Sequence, residues 1–275
     1  MKKLFVIEKI KTLSYPSFIS LIVIHFILFL IVTLVINRIQ FSAPGFSIHD
    51  LYKFPNVFKF IPWIASWFNI FLAIIIILLV GNEFTYRTFK QNVIDGLERT
   101  DLILGKLIVI FSIAIYSLVL VTISSLIFGF INTKDVYFGL IFQNSNILIV
   151  YFIQAIAYMS LGMLFALLFK NNALSIILFL LYSFPTEPII RSFFSENIRQ
   201  YFPIKIISNL TPKPEIFNLQ QSANFHSPSG DNFINIQGIN IVPEQLSLQS
   251  TTVIAIAYIL FFITISIFIM KKRNL

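Results

Sequence analysis

The sequence of 275 residues contains no cysteine, which excludes disulfide bonds and thiolate metal sites. It is also poor in charge, because only 12% of its residues are charged, whereas a soluble domain has about 25%. Apolar residues make up 57% of the chain and gather in runs of about 20, the length of a helix that crosses a bilayer. The composition therefore predicts an all-α polytopic membrane protein in which residues 1–275 form a single transmembrane domain.

The residues needed for several kinds of chemistry are also missing. Gly105-Lys106 is the only Gly-Lys pair, and it lacks the earlier glycine and the following Ser or Thr of a P-loop. We therefore expect no ATPase site and no catalytic residue in this chain. The three histidines are scattered, and no basic stretch carries interleaved aromatic residues. We accordingly expect no bound metal, no cofactor and no nucleic-acid partner.

Six membrane spans are predicted, with a short amphipathic helix over residues 1–15 before the first. A cleaved signal peptide is the competing interpretation of this beginning. The spans cover residues 17–36, 61–80, 102–130, 146–169, 173–185 and 251–270. Pro185 stops the fifth apolar run early, so we expect a break there and a re-entrant piece within an outer loop region of residues 186–250.

Charge distribution orients these spans. Lys and Arg are more frequent on the side that holds both termini, the 81–106 loop and the turn at Lys170. The positive-inside rule therefore places both termini in the cytoplasm, as an even number of spans requires. The predicted spans contain no acidic residue and no basic one except Lys106, which opens the third. Ion-driven carriers usually need a charged group inside the membrane, so we expect the energy to come from another protein.

The stretch between the second and third spans, residues 82–107, is too polar to cross a membrane. At helical spacing it has an apolar stripe and a polar face. The stripe contains Tyr86, Phe89, Val93 and Leu97 with Ile94 beside them, and the polar face contains Arg87, Gln91, Asp95 and Glu98. The pattern predicts a helix on the bilayer surface, held in lipid by Phe89 and Val93, whose polar face contacts a soluble partner. Gly96 is its expected stop, and an ordinary charged loop is the alternative.

The same stretch resembles the first cytoplasmic loop of ABC-2-type transporter permeases. That loop commonly shows a Glu, a Gly-Thr pair, a Gly-x-Ser-Arg step and a Lys that opens the next span. The corresponding residues here are Glu83, Arg87-Thr88, Gly96-Leu97-Glu98-Arg99 and Gly105-Lys106-Leu107. Arg87 stands where the Gly is usual, and Glu98 stands where the Ser is usual.

The resemblance implies the membrane subunit of a bacterial ABC exporter in the cytoplasmic (inner) membrane. It also implies a second permease copy or paralogue and a separate ATPase subunit that binds ATP and Mg, with the amphipathic helix as a coupling helix. The residues expected at the ATPase interface are Glu83, Arg87, Thr88, Gln91, Asp95, Gly96, Glu98, Arg99 and Lys106, with Glu83 and Lys106 as anchors of the two ends. Because the spans offer almost no charge, we expect a hydrophobic or amphipathic substrate such as a peptide or antibiotic.

A few polar residues within the predicted spans are candidates for a substrate path, with packing or hydrogen bonding between helices as the alternative. They are His25, Asn69, Gln154 and Tyr158. Glu187, just beyond the fifth span, is interpreted as a solvated loop acid or as a gate at the outer end. For the whole chain, an ion-gradient-driven carrier or a membrane assembly scaffold without an ATPase partner remains the alternative function.

Overall fold

The computed structural model describes residues 2–39, 42–43, 46–213 and 246–272. The chain begins with helices α1 (Lys2–Leu13) and α2 (Pro16–Arg38). Pro16 lies in the first turn of α2, where a missing N–H costs no helical hydrogen bond. On α1, Glu8 and Thr12 are buried, whereas the apolar side chains of Val6 and Ile10 are exposed. Helix α1 therefore has one buried face and one exposed apolar face, in keeping with the amphipathic helix that the sequence predicts.

The predicted second span corresponds to two helices with a bend between them. After the short antiparallel pair β1 (Ser42–Ala43) and β2 (Phe46–Ser47), helix α3 (Ile48–Leu51) leads to this span. Helices α4 (Val57–Ser66) and α5 (Asn69–Thr85) then follow one another with a bend of 41°. Helix α5 continues past the predicted end of the span at residue 80. Glu83 therefore lies in a helical turn and not in the loop that follows.

The next helices are α6 (Thr88–Ile94) and α7 (Arg99–Asn132), and α7 is the third span. A five-residue helix, α8 (Phe138–Phe142), leads into α9 (Asn146–Phe169), and the two together form the fourth candidate span. Helix α9 is the central element, because 78% of the most apolar stretch of this span is buried, against 17% for α2. Gly162 allows this packing: a Cβ added there would lie 2.8 Å from the carbonyl oxygen of Ala73 in α5.

The fifth span does not stop at Pro185, so this prediction was wrong. Helix α10 (Asn172–Leu181) continues through a π-helical turn, Tyr182–Thr186, into α11 (Glu187–Ser192). A π-helical turn is wider than an α-helical one, which accommodates a proline ring without an N–H. The chain turns back only after α11, through α12 (Glu196–Arg199) and α13 (Pro203–Ser208).

Helix α13 packs against α9 and against the last helix, α14 (Leu248–Lys272). Most of the predicted outer loop region, residues 214–245, lies outside the described residues. Within the described ranges, five helices are long and apolar enough to cross a membrane, or six when the bent pair of α4 and α5 is taken as one span. The helical content and these spans support a polytopic membrane protein, and the upper count agrees with the prediction.

Candidate coupling site

The segment between α5 and α7 turns sharply at Arg87. The φ angle of Arg87 is 55°, in the left-handed region that favours glycine. Its backbone N–H donates to the carbonyl oxygen of Phe84 at 3.2 Å. This is the position where the resembling permeases usually carry Gly. The departure from their motif therefore falls where the backbone conformation of Arg costs about 1–2 kcal/mol.

Helix α6 is shorter than the helix that the sequence predicts, and it divides the expected apolar stripe. Phe89 is 1% exposed and packs against Phe84 with ring centroids 4.8 Å apart. Tyr86 and Ile94, by contrast, are 67% and 68% exposed. Phe89 is therefore held in the protein core and not in lipid, and Tyr86 does not share its face. The left-handed turn at Arg87 separates the two residues, since it ends one helix before the next begins.

The far end of α6 has the stop that the sequence predicts. Gly96 has a φ angle of 91°, also left-handed, and its N–H donates to the carbonyl oxygen of Val93 at 3.1 Å. The N–H of Leu97 donates to the carbonyl oxygen of Asn92 at 3.0 Å, which completes a Schellman motif. Glu98 then forms a capping box with Asp101 at the start of α7. The segment is thus fixed at both ends by local backbone chemistry.

Beneath this segment, four charged side chains form what we call the ion cluster: Glu8, Lys11, Glu83 and Lys106. Nζ of Lys106 lies 2.6 Å from Oε2 of Glu8 and 2.5 Å from Oε1 of Glu83. Nζ of Lys11 lies 3.5 Å from Oε1 of Glu83 and 3.8 Å from Oε1 of Glu8. Glu8, Glu83 and Lys106 are buried. Two acids and two bases compensate one another, as buried charges require.

The ion cluster joins α1 to α5 and α7. The neighbouring Gly105 makes room for it, because a Cβ added there would lie 3.0 Å from Cγ and Oε1 of Glu8. The sequence predicts Glu83 and Lys106 as anchors but does not identify Glu8 and Lys11 as their partners. Leu4, Glu8 and Thr12 recur at a spacing of four residues and are buried on one face of α1, but the sequence alone does not show that this face is buried.

The predicted interface residues lie in two environments. On the surface are Arg87, Gln91, Asp95, Gly96 and Glu98, with Tyr86 and Ile94 among them. We call the surface formed by Tyr86, Arg87, Gln91, Ile94 and Asp95 the exposed face. Below it, Thr88 donates its hydroxyl to the carbonyl oxygen of Glu83 at 3.4 Å. The guanidinium of Arg99 donates to the carbonyl oxygen of Lys271 at 2.7 Å, which ties α7 to the end of α14.

The predicted path residues Asn69 and Gln154 are bonded to each other. Nδ2 of Asn69 donates to Oε1 of Gln154 at 3.3 Å, and the hydroxyl of Thr211 donates to the same oxygen at 3.2 Å. Nε2 of Gln154 donates to the carbonyl oxygen of Ile207 at 2.8 Å. These buried bonds join α5, α9 and α13, and a role for the two amides in a substrate path stays a prediction.

The other two path candidates have different partners. Nδ1 of His25 lies 3.3 Å from the hydroxyl of Tyr116, and its ring packs on Phe68 and Phe71. Its other nitrogen, Nε2, is buried without a hydrogen-bond partner among the described residues. Tyr158 is buried close enough to Glu187 for an electrostatic interaction. The four candidates are therefore held by three separate sets of neighbours.

Glu187 is 1% exposed, so the interpretation as a solvated loop acid was wrong. Its Oε2 accepts from the N–H of Ile204 and its Oε1 from the N–H of Lys205, both at 2.9 Å. These are free donors at the beginning of α13, where an anion is favourable. Phe202-Pro203 was a sequence signal for a helix beginning that needs such a partner. Burial, with Arg191 and Lys213 nearby, lowers the pKa of Lys205.

Comparison with known proteins gives one result for the part of the chain that contains this site. Within the described residues there is no group of three or more His, Asp or Glu side chains that could hold a metal ion. No curated protein matches the chain. A family model described as "ABC-2 family transporter protein" matches residues 4–186, which is more than half of the chain and includes the ion cluster and the exposed face. The chain therefore belongs to the ABC-2 family of transporter proteins.

Proposed function

We propose that this chain is the permease subunit of an ATP-driven exporter and that its exposed face docks to a separate ABC ATPase. Proteins of the ABC-2 family are membrane subunits that are generally not catalytic themselves and generally work with an ABC ATPase. The observation that carries the proposal is the exposed face, where two large apolar side chains stand among charged ones on a short helix between two spans.

The composition of the exposed face supports docking to a protein. Tyr86 and Ile94 are more than half exposed although the segment has a buried apolar residue, Phe89, beneath them. Aromatic and Arg side chains dominate the binding energy of protein interfaces, and polar residues form the rim around them. Arg87, Gln91 and Asp95 are exposed polar residues of the same segment, and Gln91 is already oriented by a 3.0 Å bond to Asp95.

The anchoring of α6 beneath the exposed face would let it transmit a displacement to the neighbouring spans. Phe89 fixes α6 to the core that α5 and α7 share, and the Schellman motif fixes its far end. A push on α6 by an ATPase closing around ATP and Mg would therefore move the second and third spans and not merely bend a loop. Tilting of spans in two permease copies, or in a copy and a paralogue, would open a path between them.

The substrate that fits this permease is hydrophobic or amphipathic, such as a peptide or antibiotic. Nδ2 of Asn69 and both polar atoms of Gln154 are hydrogen-bonded inside the bundle. Oδ1 of Asn69, Nε2 of His25 and the hydroxyl of Ser160 are buried without a hydrogen-bond partner among the described residues, but they are uncharged amide, imidazole and hydroxyl groups. They offer little to a charged solute. Both termini would be cytoplasmic in a bacterial inner membrane, which sets the exposed face towards the ATP-containing side.

The test uses Tyr86→Asp in the full chain, co-expressed with the ABC ATPase that co-purifies with the native chain. A charge in place of an exposed aromatic side chain should remove a hot spot of the interface, so we expect the ATPase to co-purify poorly and ATP hydrolysis to lose its stimulation by substrate. Tyr137→Asp is the matched control, because Tyr137 is 65% exposed but lies between the third and fourth spans. Equal co-purification of both variants would contradict the proposal.

A further inference from the structure

The ion cluster contains two residues from a helix that the proposed function does not otherwise use. Glu8 and Lys11 belong to α1, whereas Glu83 lies in the last turn of α5 and Lys106 lies near the start of α7. Glu8 and Lys106 are 98 residues apart in sequence and meet at 2.6 Å. A helix before the first span is thus bonded directly to both ends of the segment that carries the exposed face.

Bonding of this kind fixes one arrangement of the three helices. A buried ion pair adds little stability over apolar side chains of the same size, but it tolerates little displacement, because separation leaves a charge without a partner. Lys106 binds both acids at once, and the absent side chain of Gly105 lets Glu8 come close. Apolar packing alone would allow α1 to slide over α7, and the ion cluster does not.

A short path leads from the ion cluster to the exposed face. Thr88, the first residue of α6, donates its hydroxyl to the carbonyl oxygen of Glu83. Glu83 in turn binds Lys106 and lies within 3.5 Å of Lys11. A displacement of α6 therefore reaches α1 through two residues, without passing through the body of the bundle.

We propose that the ion cluster makes α1 move as one body with α6, the end of α5 and the start of α7, so that α1 is part of the coupling device. This inference rests on the proposed function of the exposed face. Only Ser14 and Tyr15 separate α1 from Pro16, where the first span begins, so movement of α1 adds that span to the second and third. Glu8 and Lys11 are then positioning residues, which act on transport through Glu83 and Lys106.

The distance between α1 and α6 tests this directly. Because the chain has no cysteine, single spin labels can be placed at Lys9→Cys and Lys90→Cys, which are exposed on α1 and α6. Pulsed electron–electron double resonance on the full chain in liposomes, without a partner protein, should give one narrow distribution of distances between the two labels. The apolar variant Glu8→Leu, Lys11→Leu, Glu83→Leu, Lys106→Met should fold but give a broadened or second distance.

Two controls separate positioning from general damage. The inverted variant Glu8→Lys, Lys11→Glu, Glu83→Lys, Lys106→Glu keeps every pairing and should keep the narrow distribution. Removal of the exposed pair of Asp50 and Lys53, 2.7 Å apart in the outer region, should change nothing. A narrow distribution in the apolar variant would overturn the inference. Should that variant fail to fold, Glu8→Gln takes its place, with the same two outcomes.

The functional readout is transport per ATP hydrolysed, measured with the ATPase that co-purifies with the native chain. The apolar variant should hydrolyse ATP with transport lost, and the variant without the exposed pair of Asp50 and Lys53 should transport as the native chain does. If the native chain binds no ATPase, the proposed function fails while the distance result still stands. If the native chain and the apolar variant transport equally per ATP, α1 has no part in coupling and this inference alone is overturned.

Discussion

The two ends of the bundle are fixed by different chemistry. At the end that contains α1 and α6, side chains pair with side chains, as Lys106 does with Glu8 and Glu83. At the end that contains α13, side chains bind backbone: Glu187 accepts from the beginning of α13, and Gln154 donates to its last turn. The first arrangement joins long helices in one register. The second holds a short helix against the ends of two spans.

This difference indicates what each end can do. Ion pairs that share one Lys are lost together, so we expect the end with α1 and α6 to respond as a unit. The end with α13 is held by separate bonds, each of which can be broken alone. We therefore expect substitutions at the ion cluster to have large, shared effects and substitutions around α13 to have smaller, local ones.

The largest effect is expected for Lys106→Met. It leaves Glu8 and Glu83 as buried charges without their main partner, which should lower the free energy of unfolding by about 3–5 kcal/mol. Lys53→Met breaks an exposed pair and should cost about 0–1 kcal/mol. Thermal unfolding of both variants in detergent measures the contrast. Equal unfolding midpoints for the two variants would show that the ion cluster does not contribute more to stability than the exposed pair does.

A smaller effect is expected for Glu187→Gln. The amide lacks the charge that two backbone donors of α13 now bind, so we expect a loss of about 1–3 kcal/mol. Hydrogen exchange should speed up at residues 203–208 and stay unchanged in α1. Faster exchange in α1 as well would contradict the separation of the two ends.

The smallest effect is expected for Asn69→Leu. Oε1 of Gln154 would still accept from the hydroxyl of Thr211, and Nε2 of Gln154 would still donate to the carbonyl oxygen of Ile207, so no group loses its last partner. If the Asn69 amide only joins helices, the range of transported substrates should not change. A changed range in transport assays would place it in the substrate path.

The sequence predicted those parts of the fold that depend on local pattern. Apolar runs located the spans, and Gly96 was identified as the stop of the segment after α5 because its turn needs a left-handed residue. The residues around Arg87 misled the prediction, since nothing in helical periodicity reveals that a non-glycine residue takes a left-handed conformation. Pro185 misled it too, because a π-helical turn lets the helix continue where proline usually ends it.

The contacts that assemble the candidate site were out of reach for a different reason. The pairing of Glu8 with Lys106, like that of Glu187 with α13, joins parts of the chain whose distance is set only by packing. The sequence showed charged residues at these positions but not which of them would be buried. Burial is what separates the anchors Glu83 and Lys106 from the exposed face.

Site-specific photocrosslinking from Ile94 tests the central claim most directly. Ile94 is 68% exposed on the exposed face, and Phe138, 77% exposed at the first residue of α8, is the comparison position. A photoreactive residue at each position would be activated in membranes that also contain an ABC ATPase co-expressed with the chain. The account predicts a cross-link to the ATPase from position 94 and none from position 138. No cross-link from position 94, or equal cross-links from both positions, would contradict it.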